Sequence, residues 1–262
     1  MQRSHIYLKD IMDYKKLDSV KFGNQPEEYV RKIEKDKYGT LEKAKDSGMI
    51  DEFIKKFPPP KNSSDTTKKE LEHLKKISDN ITDKEKSMCF YMEHHHLDFF
   101  VKTAEKLGIK GVDRKRVNSW SNEAFPIVYY LKDYFNRPRP NELAGEYGIK
   151  LHPVTRTDAN SAAYPSGHTM DFLVMIYQLM KLKPSSKDYF LDLYKKIKDV
   201  RELSGVHYPS DGDGSEELFK LMLKSIDPSI LLCLLFIIMN SYKDDNGDLD
   251  LNAISSLSLF LE

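Results

Sequence analysis

Three stretches of the chain carry side chains able to hold and cleave an anion. The first is Lys132-Asp133-Tyr134-Phe135-Asn136-Arg137-Pro138-Arg139-Pro140, three cations and two prolines behind the apolar run Phe125 to Leu131. Proline restricts the backbone, so Arg139 stands on a stiff segment. A guanidinium fork and an ammonium point charge together suit a tetrahedral oxyanion. The second is Tyr164-Pro165-Ser166-Gly167-His168, ahead of the apolar positions Met170, Phe172, Leu173, Met175, Leu179 and Met180. Small residues at a helix start leave backbone N–H groups open to an anion. Ser166 adds a hydroxyl donor and His168 a titratable ring. The third runs from Arg201 to Asp211, with His207 and Asp211 four positions apart across a proline-containing turn. A carboxylate so placed accepts the Nδ1 proton of the imidazole and leaves Nε2 as a base. Each stretch alone also fits an ordinary role: a solvated basic turn, a helix cap with a partly buried histidine, a structural His–Asp pair. Their combination points to one phosphate-sized ligand.

The elements around these stretches read as helices. Leu71, Leu74, Ile77 and Ile81 fall at steps of three and four, as do Phe99, Phe100, Val101, Ala104 and Leu107 ahead of Gly108. Asp188 to Leu203 places Tyr189, Phe190, Leu193, Ile197 and Val200 on one face, with Gly205 as its stop. Glu216 to Ile226 repeats the pattern before Asp227-Pro228. No stretch alternates with period two and no repeat is evident, so the expected class is all-α. Residues 1–56 have a thin helical pattern and read as an N-terminal extension. Phe57-Pro58-Pro59-Pro60 then imposes an extended stretch, which sets 57–262 as the expected core unit.

Among 262 residues, 41 Lys+Arg balance 41 Asp+Glu, so no overall field gathers nucleic acid or an anionic membrane. The N-terminus shows no signal-peptide pattern, and the longest apolar run, Ile230 to Met239, is half the length a spanning helix needs. The expectation is a soluble, cytoplasmic protein without a transmembrane segment. Cys89 and Cys233 do not suggest a disulfide framework.

The order Lys132…Arg139-Pro140, then Pro165-Ser166-Gly167-His168, then Arg201…His207…Asp211 resembles the signature of the type 2 phosphatidic acid phosphatase superfamily. That superfamily includes the bacterial class A acid phosphatases and the vanadium haloperoxidases. Val200 stands where the pattern usually has serine. The proline-rich start at Phe57 and the Tyr134 to Pro140 stretch are nearest the class A enzymes, and the resemblance extends from about Phe57 to Ile226. It implies an all-α bundle and a metal-independent phosphomonoesterase whose site takes phosphate or vanadate. It implies His207 as the nucleophile, Asp211 as its orienting carboxylate and His168 as general acid. Lys132, Ser166, Gly167, Arg139 and Arg201 would hold the phosphoryl oxygens. It further implies a small phosphorylated substrate and a homodimer.

Other signals are weaker. Glu93-His94-His95-His96 invites a metal, but successive helical side chains point about 100° apart, and one inward histidine with two solvated ones is the simpler expectation. Glu93/His96 and Glu70/His73 have the Glu-x-x-His spacing of di-iron bundles without the two further glutamates such a site needs. Asp244, Asn246, Asp248 and Asp250 lack the glycine and glutamate of a calcium loop. Trp120 reads as a buried anchor or a wall of the substrate mouth. A vanadium-dependent haloperoxidase is the rival enzyme, and a helical binding protein with a relic of the site is the non-enzymatic alternative.

Overall fold

The computed structural model describes residues 13–23, 39–154 and 160–226; Cys233, the run Ile230 to Met239 and the acidic segment Asp244 to Asp250 lie outside them. The protein is all-α, and no strand occurs among the described residues. In chain order the helices are α1 (Tyr14–Ser19), α2 (Thr40–Asp46), α3 (Met49–Lys56), α4 (Asp65–Asn80), α5 (Asp83–Lys106) and α6 (Arg114–Phe135). There follow α7 (Pro140–Leu143), α8 (Gly167–Leu182), α9 (Lys187–Ile197), α10 (Val200–Leu203) and α11 (Pro209–Ile226).

The starts of these helices are written locally. Ser64, Thr82, Asp113 and Ser166 each turn a side-chain oxygen onto a first-turn N–H of α4, α5, α6 and α8, and Thr82 with Glu85 closes a capping box. α6 ends at Asn136, whose φ of 47° lies in the left-handed region that asparagine tolerates, and its N–H returns to the Lys132 carbonyl. That cap turns the chain directly into the Arg137–Arg139 segment.

α8 is the apolar centre. Its Phe172, Met175 and Leu179 are wholly buried, and α6, α11, α9 and α5 pack around it. Burying each such side chain contributes about 1.5–3 kcal/mol. Below the site, Phe53 of α3 stacks on Tyr164 at 6.0 Å, and Phe135 meets Tyr164 edge-on at 5.1 Å. Residues of α2 and α3 thus share the main core with those beyond the Phe57–Pro60 stretch. A second, smaller core joins Leu17, Leu71, Leu74, Leu143 and Tyr208.

Two elements depart from the sequence expectation. The periodic stretch Asp188 to Leu203 is two helices, broken at Lys198 and Asp199, so that the short α10 presents Arg201 separately from the α9 face. The last helix among the described residues starts seven residues before Glu216, at Pro209. Proline is well suited to a first helical turn because its missing N–H would have no partner there. Asp211 is therefore helical, and its N–H bonds back to the Tyr208 carbonyl at 3.0 Å. Gly214 has a packing reason: a Cβ there would run into the Tyr164 ring.

Candidate active site

The three stretches converge. One cavity, about 720 Å³ including its open mouth, is lined by Lys132, Arg139, Gly167, His168, Arg201 and His207. Asn118, Ser121, Phe125 and Tyr129 from α6 extend its wall, with His96 and Leu97 from α5, Ser161, and Asp171 from α8.

His207 and Asp211 have the expected pairing. His207 Nδ1 lies 2.9 Å from Asp211 Oδ2, and the same oxygen accepts the Tyr208 N–H at 3.0 Å. An ionised carboxylate only accepts, so Nδ1 carries the hydrogen. On the other side of the ring, Arg139 Nη1 stands 2.8 Å from Nε2. A guanidinium only donates, so Nε2 is the unprotonated nitrogen, and the tautomer is fixed from both ends. Burial and the neighbouring Arg139 hold the imidazole pKa well below its ordinary value. Burial alone would raise the Asp211 carboxyl, but Arg137 and the His207 N–H hold it well below the usual carboxylate range.

Arg139 is locked in place by carbonyls: Nε donates to Ser161 O at 2.7 Å and Nη1 to Val206 O at 2.8 Å. Lys132 is buried and donates to the carbonyls of Ala162 and, at 3.2 Å, Ala163. Burial, with Arg139 beside it, pulls its ammonium pKa well below the usual value. A Cβ on Gly167 would stand 4.0 Å from Lys132 Cε, an ordinary contact, so the start of α8 lies beside the cation. Arg201 is buried against Glu93, with Nη2 3.4 Å from Oε1. Burial pulls its guanidinium down to about 10, which leaves it charged at neutral pH.

Ser166 is placed differently from the role the resemblance implies. It is fully buried and does not line the cavity; its Oγ stands 2.9 Å from the Thr169 hydroxyl and caps α8. Ser215 ties its carbonyl to that of Asp211 by donating to both, at 2.8 and 3.0 Å. The serine therefore joins the second and third stretches, while Gly167 offers the helix-start backbone to the cavity.

His168 lies half-buried on the wall. Burial, then His96, Arg139 and Lys132, bring its pKa down to about 3, against an opposing pull from Asp171.

Sequence reasoning missed four supports. Arg137, inside the first stretch, donates to Asp211 Oδ1 at 2.6 Å, Ser210 Oγ at 2.8 Å and Glu70 Oε2 at 3.1 Å, and its guanidinium lies 3.8 Å from the Tyr208 ring centre. Glu70 also accepts the Ser210 N–H at 2.7 Å. Glu93 serves Arg201, and Asp171 faces His96. Helical spacing could have signalled Asp171, three positions after His168 on the same face. The glutamates of the two Glu-x-x-His pairs are thus partners of arginines. His73 turns to Glu202, 3.7 Å away. Of the histidine triplet, His96 points inward and His94 and His95 are exposed, with a break from helical geometry at His95. Among the described residues no cluster of three or more His, Cys, Asp or Glu side chains is arranged to hold a metal. Trp120 is a buried anchor under Arg116 and not part of the cavity wall.

No family model and no curated protein matches the chain. Among solved structures it is similar to a bacterial vanadium-dependent iodoperoxidase, at 15% identity and a TM-score of 0.48, over 65% of this chain and 52% of that one. It is also similar to a transmembrane PAP2-type phosphatidylglycerolphosphate phosphatase from Bacillus subtilis, at 18% identity and a TM-score of 0.43, over 74% of this chain and 98% of that one. The chain spans about half the length of the iodoperoxidase. No helix among the described residues is long and apolar enough to cross a membrane.

Proposed function

We propose that the protein is a phosphomonoesterase that works through a phosphohistidine at His207 and needs no metal ion. The observation that carries this reading is the fixed tautomer of His207, with Nδ1 on Asp211 and Nε2 turned to a guanidinium in the cavity. An imidazole held neutral, with its free nitrogen among three cations, is an activated nucleophile placed where a phosphate dianion is drawn.

When a phosphate monoester enters, its oxygens replace Nε2 as the acceptor for Arg139. The Nε2 lone pair attacks phosphorus as the ester P–O bond breaks, and His168 gives its proton to the departing oxygen. Asp211 stabilises the positive charge that grows on the ring. Lys132, Arg139 and Arg201 balance the charge spread over the equatorial oxygens, so positioning and electrostatics supply most of the acceleration. Water then attacks the phosphohistidine, its proton passes to His168, and inorganic phosphate leaves with Nε2 restored.

The low pKa of His168 fits this cycle once ligand charge is included. In a cage of cations alone the ring stays neutral; a phosphate dianion beside it offsets Lys132 and Arg139 and lets it take up the proton it must deliver. Substrate binding thereby arms the acid.

The test is hydrolysis of p-nitrophenyl phosphate by chelator-treated protein, beside its His207→Ala variant. The expected result is turnover in the first and none in the second, with inorganic phosphate still bound by both. Retained turnover in His207→Ala would remove the nucleophile assignment. Halide oxidation by peroxide with added vanadate, in the absence of phosphatase activity, would replace the phosphatase reading altogether.

A further inference from the structure

Beside the nucleophile pair lies a second histidine–carboxylate pair. His96 Nε2 of α5 stands 3.5 Å from Asp171 Oδ2 of α8, and Asp171 Oδ1 accepts the Ser121 hydroxyl of α6 at 2.5 Å. The His96 ring meets the His168 ring edge-on, centroids 5.0 Å apart and planes at 67°, and Phe172 closes the group at 6.2 Å from each. All of these but Phe172 line the cavity.

A histidine retained only for packing normally has both ring nitrogens satisfied. Here Nδ1 is buried without a hydrogen-bond partner, and Nε2 is at ion-pair distance from Asp171 and not at hydrogen-bond distance. Asp171 is thus the charged partner of a ring that stands against the proposed general acid.

We propose that His96, held by Asp171, is a positioning residue for His168, fixing that ring edge-on and setting through its own charge where His168 takes up its proton. This rests on the phosphatase reading for its consequence in catalysis, though not for its measurement. The charged and titratable groups facing His168 are His96 from α5, Lys132 from α6, Arg139 from the α6–α7 connection and Asp171 on its own helix. Three of these four oppose a proton on His168, and Asp171 favours it. Lys132 and Arg139 belong to the cation cage of the cavity, whereas His96 meets His168 edge-on from α5 and can be replaced without removing a cage member.

The experiment follows the imidazole ¹⁵N shifts of His168 across the acid-stable range, in the protein alone and in its His96→Gln and His96→Phe variants. Phe keeps the ring contact and removes the charge. Both variants should raise the His168 midpoint by about half to one pH unit, as loss of a like charge at this distance does. Asp171→Asn, made on top of His96→Gln, should lower it again. Hydrolysis of alkyl phosphates, which need the acid more than p-nitrophenyl phosphate does, should keep its rate to correspondingly higher pH in the His96 variants. An unchanged His168 midpoint in both variants overturns the proposal. A shift in His96→Gln alone also does so, because it would leave His96 a purely structural part. Absence of turnover with the midpoint shifts intact would refute the phosphatase reading and leave this inference standing.

Discussion

Replacing Arg137 with methionine tests how the nucleophile is held. The guanidinium is 2% exposed and bridges two carboxylates, Asp211 at 0% and Glu70 at 9%. Methionine fills much of the volume over Tyr208 but leaves Asp211 Oδ1 and Glu70 Oε2 in the interior without their cation. Removing one member of a buried ion pair costs about 3–5 kcal/mol, because the charge left behind keeps its desolvation cost. For a domain of this size that corresponds to a fall in Tm of roughly 6–20 °C. The sign of the pH dependence follows. In the parent protein the depressed Asp211 contributes stability above its unfolded pKa, and this is lost as pH falls through the folded value. In the variant burial acts on Asp211 without Arg137 to oppose it, so protonation relieves the orphaned carboxyl. The difference between the two proteins should therefore be largest near neutral pH and shrink toward about pH 5, within the range over which such carboxyls titrate. Urea titrations at several pH values measure it. Arg137→Met/Glu70→Gln should lose less than the sum of the two single variants, since each single change orphans the other residue. A loss below about 1 kcal/mol, the size of a surface ion pair, or one independent of pH, would refute the reasoning.

Three further expectations follow from the same geometry. Asp211→Asn removes the acceptor that fixes the His207 tautomer and should lower kcat on the order of 10³–10⁴-fold, with phosphate affinity little changed; a loss confined to KM in steady-state kinetics would contradict it. Gly214→Ala should destabilise by about 1–3 kcal/mol through collision with Tyr164, read as a lower urea midpoint, and an unaltered midpoint would show that the ring gives way. His168, pulled down to about 3, contributes stability above the unfolded histidine value that is lost as pH falls. Glu202, which burial pushes up to about 8, tilts stability the other way, so the effect is isolated by comparison with His168→Gln. That variant should gain about 1–2 kcal/mol on the parent between about pH 7 and pH 5, and parallel pH curves would be the contrary result.

Much of this was legible from spacing. Lys132, Arg139, Gly167, His168, Arg201 and His207 meet in one cavity, and Asp211 sits on the far side of His207, because a lysine near a helix end, a capped helix start and a His-x3-Asp turn each have a local meaning. The helical class followed from steps of three and four. What escaped has a physical reason. Pro209 and the glycines at 212 and 214 look like a loop, yet proline suits a first turn and Gly214 is needed for the close passage of Tyr164. Ser166 was read as a ligand donor because a hydroxyl serves equally as a cap, and spacing does not distinguish the two. Glu70, Glu93 and His96 come from helices far from the motifs; no local pattern says which buried arginine or carboxylate they will meet. That pairing is decided by how α4 and α5 pack against α10 and α8.

The central claim, that His207 attacks phosphorus, is tested most directly by trapping the intermediate. Protein mixed with a phosphate monoester and quenched in alkali, where phosphohistidine survives and phosphate esters of serine do not determine the outcome, is digested and its phosphorylated peptide sequenced by mass spectrometry. The account expects the phosphoryl group on His207, absent in His207→Ala and accumulating in His168→Gln when water attack loses its base. Label on any other residue, or turnover with no phosphorylated peptide at early times, would contradict it.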